Sequence, residues 1–260
     1  MEKLPVSVFV IARNEADRIP LTIRSVRDWV DEVVVIDSGS GDDTVQVAES
    51  LGARVVFNEW SGYGPQKVFG EGLCRNDWLL NLDADEEITP DLAREIQALF
   101  SGEPPCTAYR LRILPLHNFQ IRGHPWTSTQ HQVRLYRKSA AGFKDSPVHD
   151  SVVVREGRTA TLRGMVNHRS FRSLAHHVEK VNSYSSAQAE NLHGKGRNPS
   201  ALELVVVPPL AFLKQFLLRR EFVNGIDGVI VSYMYAFQRF IRLAKTRERF
   251  QEEKRKRDAG

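Results

Sequence analysis

Apolar residues along the first hundred positions fall into two alternating rhythms. Val6 to Ile11 (VSVFVI) is a short β-branched run, and VVVID at 33–37, RVVF at 54–57 and WLLNL at 78–82 repeat it. Each predicts a buried strand. Ile19, Ile23, Val26 and Val30 instead recur at helical spacing. Asp42, Asp43 and Thr44 stand where a cap belongs, which predicts a helix from Val45 to Leu51 stopped by Gly52. Another helix holds Gln66 to Leu73 after the glycine-rich loop NEWSGYGP. ITPDLAREIQALF predicts a third, with Thr89 as N-cap and Pro90 in its first position. Strands and helices alternating over short connections predict an α/β fold, a parallel sheet covered by helices.

Beyond residue 104 the rhythm changes. TAYRLRI, QHQVRLYR, and the pair SVVVRE and TATL, turning at Gly157 as a hairpin, predict an antiparallel extension. Residues 173–193 read as a polar helix. From Pro199 the chain becomes apolar and basic together. Its longest apolar run, Leu204 to Leu213, contains two prolines and spans about half of what a bilayer requires. Two helices lying in a headgroup region are therefore expected, rather than a transmembrane helix. The terminal EEKRKRDAG is expected to fray.

Charge sharpens this division. The chain of 260 residues carries a net +4, yet Lys214 to Arg257 holds twelve Lys/Arg against five acids, a surplus of seven that leaves the remainder at −3. A basic end on a mildly acidic body points to an anionic surface. No aromatics interleave the KRKR run, which argues for membrane and against nucleic acid. The composition, 42% hydrophobic and 26% charged, is that of a globular protein. Cys74 and Cys106 have neither metal spacing nor disulfide density, and the opening MEKLPVSVFVIARNEA lacks an export pattern, so a reducing, cytoplasmic setting is expected.

Ligands of such sheets bind at the carboxyl ends of strands. Three strand ends carry Ala12-Arg13-Asn14-Glu15, Asp37-Ser38-Gly39-Ser40 and Asp83-Ala84-Asp85. The first connection has no glycine and no GxxxxGK[ST] occurs, which excludes dinucleotide and P-loop sites. NLDADEE concentrates four carboxylates in seven residues, a costly cluster unless cations or donors offset it. It lacks the glycine of a calcium loop. Asp83 and Asp85, at i and i+2, suit one hard divalent cation and its waters, while Glu86 and Glu87 are read as favouring the start of the next helix. Asp37 can accept from a uracil or ribose, and Lys67 can answer phosphate charge. Trp60 and Tyr63 are read either as stacking on a base or sugar or as packing, and His124-Pro125-Trp126 as lining an acceptor.

Together FVIARNEADRI, DEVVVIDSGSGDDT, NEWSGYGPQK and DWLLNLDADEEITPDL resemble the family 2 glycosyltransferases, and most closely the branch of lipopolysaccharide-core β-1,4-glucosyltransferases. The four segments span about residues 5–95 in the family's order. A looser match continues through HQVRLYR, SPVHDSV and NHRS. The resemblance implies a GT-A fold and inverting transfer of a sugar, glucose above all, from a UDP-sugar to a lipid-linked acceptor such as the lipopolysaccharide inner core. Asn14, Glu15 and Asp37 would hold the nucleoside, with Lys67 nearby. Asp83 would face the ribose or a metal-bound water, and Asp85 would ligate Mn²⁺ or Mg²⁺. Val148-His149-Asp150 stands where the family shows Val-His-Glu, making Asp150 the candidate base and His149 a further metal ligand or acceptor contact, with His168 a lesser candidate.

The implied organisation is a catalytic domain over 1–198, with a nucleotide-sugar half to 104 and an acceptor half beyond. Residues 199–250 would form a membrane-associating region on the cytoplasmic face of the inner membrane, and 251–260 a flexible tail. Two alternatives stay open: a metal-dependent nucleotidyltransferase, whose usual glycine-rich first loop is missing here, and a non-catalytic nucleotide- or lipid-binding protein on the same scaffold.

Overall fold

The computed structural model describes residues 3–116, 124, 126–145 and 151–259. By their mutual contacts the residues gather into two units, Met1–Pro115 with Thr129–His168, and Leu116–Ser128 with Arg169–Gly260.

The first unit begins as the hydrophobic rhythm predicts, with β1 (Leu4–Ala12), α1 (Ile19–Arg24), β2 (Val30–Asp37), α2 (Thr44–Ser50), β3 (Arg54–Phe57), α3 (Tyr63–Leu73) and β4 (Trp78–Asp83). Then come β5 (Glu86–Ile88), α4 (Pro90–Leu99), β6 (Ala108–Pro115), β7 (Gln130–Arg137), β8 (Ala141–Phe143), β9 (Val152–Val154) and β10 (Thr159–His168). Eight strands form one sheet in the order β3-β2-β1-β4-β7-β6-β10-β5, and β8 pairs with β9 apart from it. The first four strands are parallel, and β7 runs antiparallel to both β4 and β6. This parallel sheet with an antiparallel extension is the GT-A-type α/β architecture expected from the sequence.

Both faces of the sheet are buried. Val6, Val8 and Val10 of β1 join one apolar cluster, and Phe9 joins the other with Val34, Ile36 and Leu79. α3 comes so close to the second face that a Cβ on Gly70 would sit 2.8 Å from Ile36 and 2.9 Å from Phe9. Thr89 caps α4 as expected, its hydroxyl accepting from the Leu92 N–H.

Three local expectations fail in this unit. The 151–162 pair is no hairpin: β9 pairs with β8, and β10 runs parallel to β6 and antiparallel to β5. Alternation marks a strand but does not choose its partner. Val30 opens β2 instead of continuing α1. Glu86 and Glu87 lie on β5 rather than at a helix start, paired with His168 and Asn167 of β10.

The second unit holds α5 (Leu174–Gly194), α6 (Ala201–Leu213), a π-helical turn (Lys214–Leu218), a 3-10 turn (Glu221–Asn224) and α7 (Gly225–Asp258). α5, read from sequence as part of the catalytic domain, belongs to this unit because it packs on α7. The Lys245 ammonium donates to the Asn182 side chain and the Ser185 and Ser186 hydroxyls at 2.7–2.9 Å. α6 is capped by a reciprocal Ser200–Glu203 box and runs through Pro208 and Pro209. With the π-helical turn it makes an 18-residue apolar helix, Ala201–Leu218, long and apolar enough to cross a membrane, where the sequence suggested half that length. α7 continues to Asp258, so residues 252–258 of the segment expected to fray are helical and exposed.

Candidate active site

Parallel register sets the three strand ends side by side. Ala12 stands opposite Asp37 on one flank of β1, and Ile11 opposite Asp83 on the other. The chain must then leave the sheet in three turns, and their polar groups meet.

The turns after β1 and β2 are laced together. Asn14 adopts a left-handed conformation at φ 56°, which an asparagine tolerates better than most residues. Its Oδ1 accepts from the Gly41 N–H at 2.8 Å, and its own N–H donates to the Ser40 hydroxyl at 2.9 Å. The Glu15 N–H donates to the Thr44 hydroxyl at 2.7 Å. Asp37 is buried, and its Oδ2 accepts from the Gly39 and Ser40 N–H groups at 2.9 and 3.0 Å. It therefore shapes the turn that carries it. Asn14, Glu15 and Asp37 share one braced rim, as the sequence led one to expect.

On the other flank each aspartate is held between two basic side chains. Lys67 is fully buried, and its Nζ donates to Asp83 Oδ1 at 3.0 Å. Arg134 of β7 reaches Asp83 Oδ2 at 2.9 Å, Glu86 Oε1 at 2.8 Å and Asn81 Oδ1 at 2.6 Å. The Asp83 N–H also donates to Glu86 Oε2 at 3.0 Å. Burial opposes the charge of Asp83, but Arg134 and Lys67 hold its carboxyl far below the usual carboxylate range. Glu86 goes the other way: burial pushes it up, and the neighbouring Asp83 adds to this against the pull of Arg134. The guanidinium stands at nearly equal distances from the two carboxylates, 2.9 and 2.8 Å.

Asp85 lies beyond the strand, between Arg18 and His168. Arg18 grips Glu15 with two donors at 2.6 and 2.7 Å and gives a third to Asp85 Oδ2 at 3.2 Å. His168, at the end of β10, puts Nε2 3.4 Å from Asp85 Oδ1. Burial works against both charges, yet the His168 contact lowers the Asp85 carboxyl, and Asp85 raises the imidazole. Three of the four carboxylates of NLDADEE thus find these partners. Asp83 and Glu86 share Arg134, Asp85 takes Arg18 and His168, and the crowding is offset.

The sequence reading set Lys67 against phosphate, whereas its ammonium is buried at Asp83. Trp60 and Tyr63 are exposed and meet edge to face at 4.9 Å. His124 and Trp126 make a similar edge contact at 5.9 Å. His149 and Asp150 lie outside the described residues. Among the described residues no three His, Cys, Asp or Glu side chains gather as a metal site. Arg18 and Arg134 were not singled out from the sequence. A signal for Arg134 was present: a charged residue between the apolar Val133 and Leu135, next in register after the Leu80–Leu135 pair and so opposite Asn81.

A family model described as "Glycosyl transferase family 2" matches residues 7–153. An uncharacterized glycosyltransferase of Rickettsia bellii is 42% identical over 253 residues, covering 94% of this chain and 86% of the relative. The lipopolysaccharide core biosynthesis glycosyltransferase LpsC of Rhizobium meliloti is 28% identical over 259 residues, covering 95% and 93%. Among solved structures, S. aureus TarS 1–349 aligns over 96% of this chain and 92% of its own, at 14% identity and a TM-score of 0.49.

Proposed function

The chain belongs to glycosyl transferase family 2, and from that premise we propose that it is an inverting, metal-dependent hexosyltransferase. It moves glucose from UDP-glucose to a lipid-linked glycan, such as the inner core of a lipopolysaccharide, at the cytoplasmic membrane face. The observation that carries this reading is the pair of strand-end aspartates, each held between two basic side chains beside the Asn14–Asp37 rim. The name of the Rhizobium relative supports the acceptor class.

Asn14, Glu15 and Asp37 hold the nucleoside, and the braced turns keep them in place without reorganisation on binding. Asp83, fixed by Lys67 and Arg134, stays ionised and meets the ribose. Asp85 and His168 offer an oxygen and a nitrogen 3.4 Å apart, a donor pair that suits Mn²⁺ or Mg²⁺ when diphosphate and water complete the shell. Such an ion offsets the charge that grows on the departing nucleoside diphosphate. Arg18 holds Asp85 from the side opposite His168 and keeps its carboxylate aimed. Asp150 takes the proton of the acceptor hydroxyl as general base, with His149 beside it.

The test is UDP release from UDP-glucose with Mn²⁺ and a lipopolysaccharide-core acceptor. Asp85→Ala is expected to abolish it, and activity that survives this change sinks the metal assignment. Asp150→Ala is expected to bind UDP normally while transfer falls by orders of magnitude, and unchanged turnover removes Asp150 as base.

A further inference from the structure

The second unit carries a helical pair built inside out. Large apolar residues of α7 and the turn before it, Phe222, Ile226, Ile230, Tyr233, Phe237 and Phe240, recur every three or four positions and all are exposed, Ile226 by 73%. From Gly225 to Ala236 the buried positions of α7 are small, Gly228, Ser232 and Ala236, and only farther along are Leu243 and Thr246 buried. α6 repeats the pattern, exposing Leu202, Val205, Leu210, Leu213 and Leu217 while burying only Ala211. Apart from Ala211, no residue of the 18-residue window Ala201–Leu218, mean hydropathy 1.7, is buried. α6 meets α7 through Phe212 and Tyr233, whose rings are 4.7 Å apart, and the two turns between them meet through Phe216 and Phe222 at 6.3 Å.

Helices that bury an apolar stripe and expose polar groups are the arrangement for water. Small residues at the contact with large apolar residues outside is the arrangement for lipid. The polar groups follow the same logic. Buried Glu221 accepts from Gln215 at 3.1 Å and Asn224 at 2.8 Å, and the Ser232 hydroxyl donates to the Gly228 carbonyl at 2.7 Å. Two prolines lie within α6, a feature commoner in membrane helices than in soluble ones.

Charge identifies the surface. Between Leu204 and Leu243 the acids are Glu221, which is buried, and Asp227. The cations are Lys214, Arg219 and Arg220 near the hairpin bend and Arg239 and Arg242 farther along. Cations bounding an apolar surface match anionic headgroups over acyl chains. We propose that the α6–α7 hairpin is embedded among the acyl chains of an anionic bilayer, with these cations at the lipid phosphates. This deepens the membrane contact proposed above and rests on that reading. It replaces attraction at the headgroups with apolar insertion.

The test uses the full chain and vesicles of phosphatidylcholine with phosphatidylglycerol, prepared with lipids brominated along the acyl chain. Ile226→Trp is compared with Lys254→Trp, in the exposed end of α7, and with the unsubstituted chain. Bromine is expected to quench the added fluorescence of Ile226→Trp several-fold more than that of Lys254→Trp, and the chain is expected to stay with the vesicles in concentrated salt. Ile226→Glu with Phe237→Glu should lose vesicle binding. Release by salt without quenching overturns insertion in favour of headgroup attraction. A soluble dimer that ignores vesicles overturns it in favour of a second copy on the same face. UDP binding with Mn²⁺, measured by calorimetry without lipid, separates the two readings. If UDP binds and no quenching appears, insertion alone fails, whereas absent UDP binding removes the transferase reading whatever the vesicles do.

Discussion

Arg134 carries more of the site than any residue singled out from the sequence, because one guanidinium answers Asp83, Glu86 and Asn81. Removing one partner of a buried ion pair strands the other, at about 3–5 kcal/mol. Arg134→Met is therefore expected to lower stability by about that amount in urea unfolding. Glu86→Gln should lose only about 1–2 kcal/mol, since burial already disfavours its charge and the amide oxygen still accepts a hydrogen bond. Equal losses would show that Arg134 serves both carboxylates alike. Cys74 gives a second residue-scale test. Burial pushes its thiol up to about 12, so at pH 8 almost no thiolate is present to react. Alkylation by iodoacetamide should spare Cys74 in the native protein and label it after denaturation. The site was legible in part for a local reason. Asn14, Asp37, Asp83 and Asp85 follow apolar strands directly, and that placement is written in the chain. Arg18, Arg134 and His168 join them only through pairings across the fold, the longest between Asp85 and His168, which spacing does not reveal.

At the scale of elements, α3 shows how a glycine pair in one helix can have opposite roles. Gly70 faces the sheet, where a Cβ would press on Ile36 and Phe9, while Gly72 has nothing within 4 Å. Gly70→Ala should cost about 1–3 kcal/mol through overpacking. Gly72→Ala should stabilise by up to about 1 kcal/mol, because it lowers the entropy of the unfolded chain and improves helix propensity. Thermal unfolding of the two variants checks both signs, and a stabilising Gly70→Ala would mean that α3 does not hold this distance. The same distinction explains which elements the sequence announced. β1, β2 and β4 are buried on both faces, β3 is a half-exposed edge strand, and all four are joined by short connections, so runs of Val, Ile and Leu identify them without further knowledge. The 151–162 region failed because strand pairing is a long-range choice: Val152–Val154 prefers Ala141–Phe143, and Thr159–His168 lies beside β6. α6 was underestimated because the apolar run ends at Lys214, whereas the helix continues through it to Leu218 in the π-helical turn.

For the whole molecule, the distribution of charge decides how the donor is held. The surplus of seven cations lies between Lys214 and Arg257, and the remainder of the chain is net −3. A nucleoside diphosphate therefore meets a body with no excess of positive charge, and at the rim Lys67, Arg134 and Arg18 are already engaged with carboxylates. On the proposed reading, diphosphate alone would pile anion on anion, and a divalent cation alone would have Asp85 and His168 but few further donors. Each should bind weakly without the other and tightly together. Ligand present at a hundred times its Kd stabilises the folded state by about 2.7 kcal/mol, which for a unit of this size corresponds to a rise of about 5–10 °C in Tm. UDP with Mn²⁺ is expected to raise Tm by an amount in this range, clearly above the sum of the shifts that either gives alone. Asp85→Ala should keep the small shift from UDP and lose the excess, because the nucleoside rim is intact and the bridge to the ion is gone. Strictly additive shifts in the unsubstituted protein would mean that UDP and metal occupy independent sites, and the shared role assigned to Asp85 would then fall.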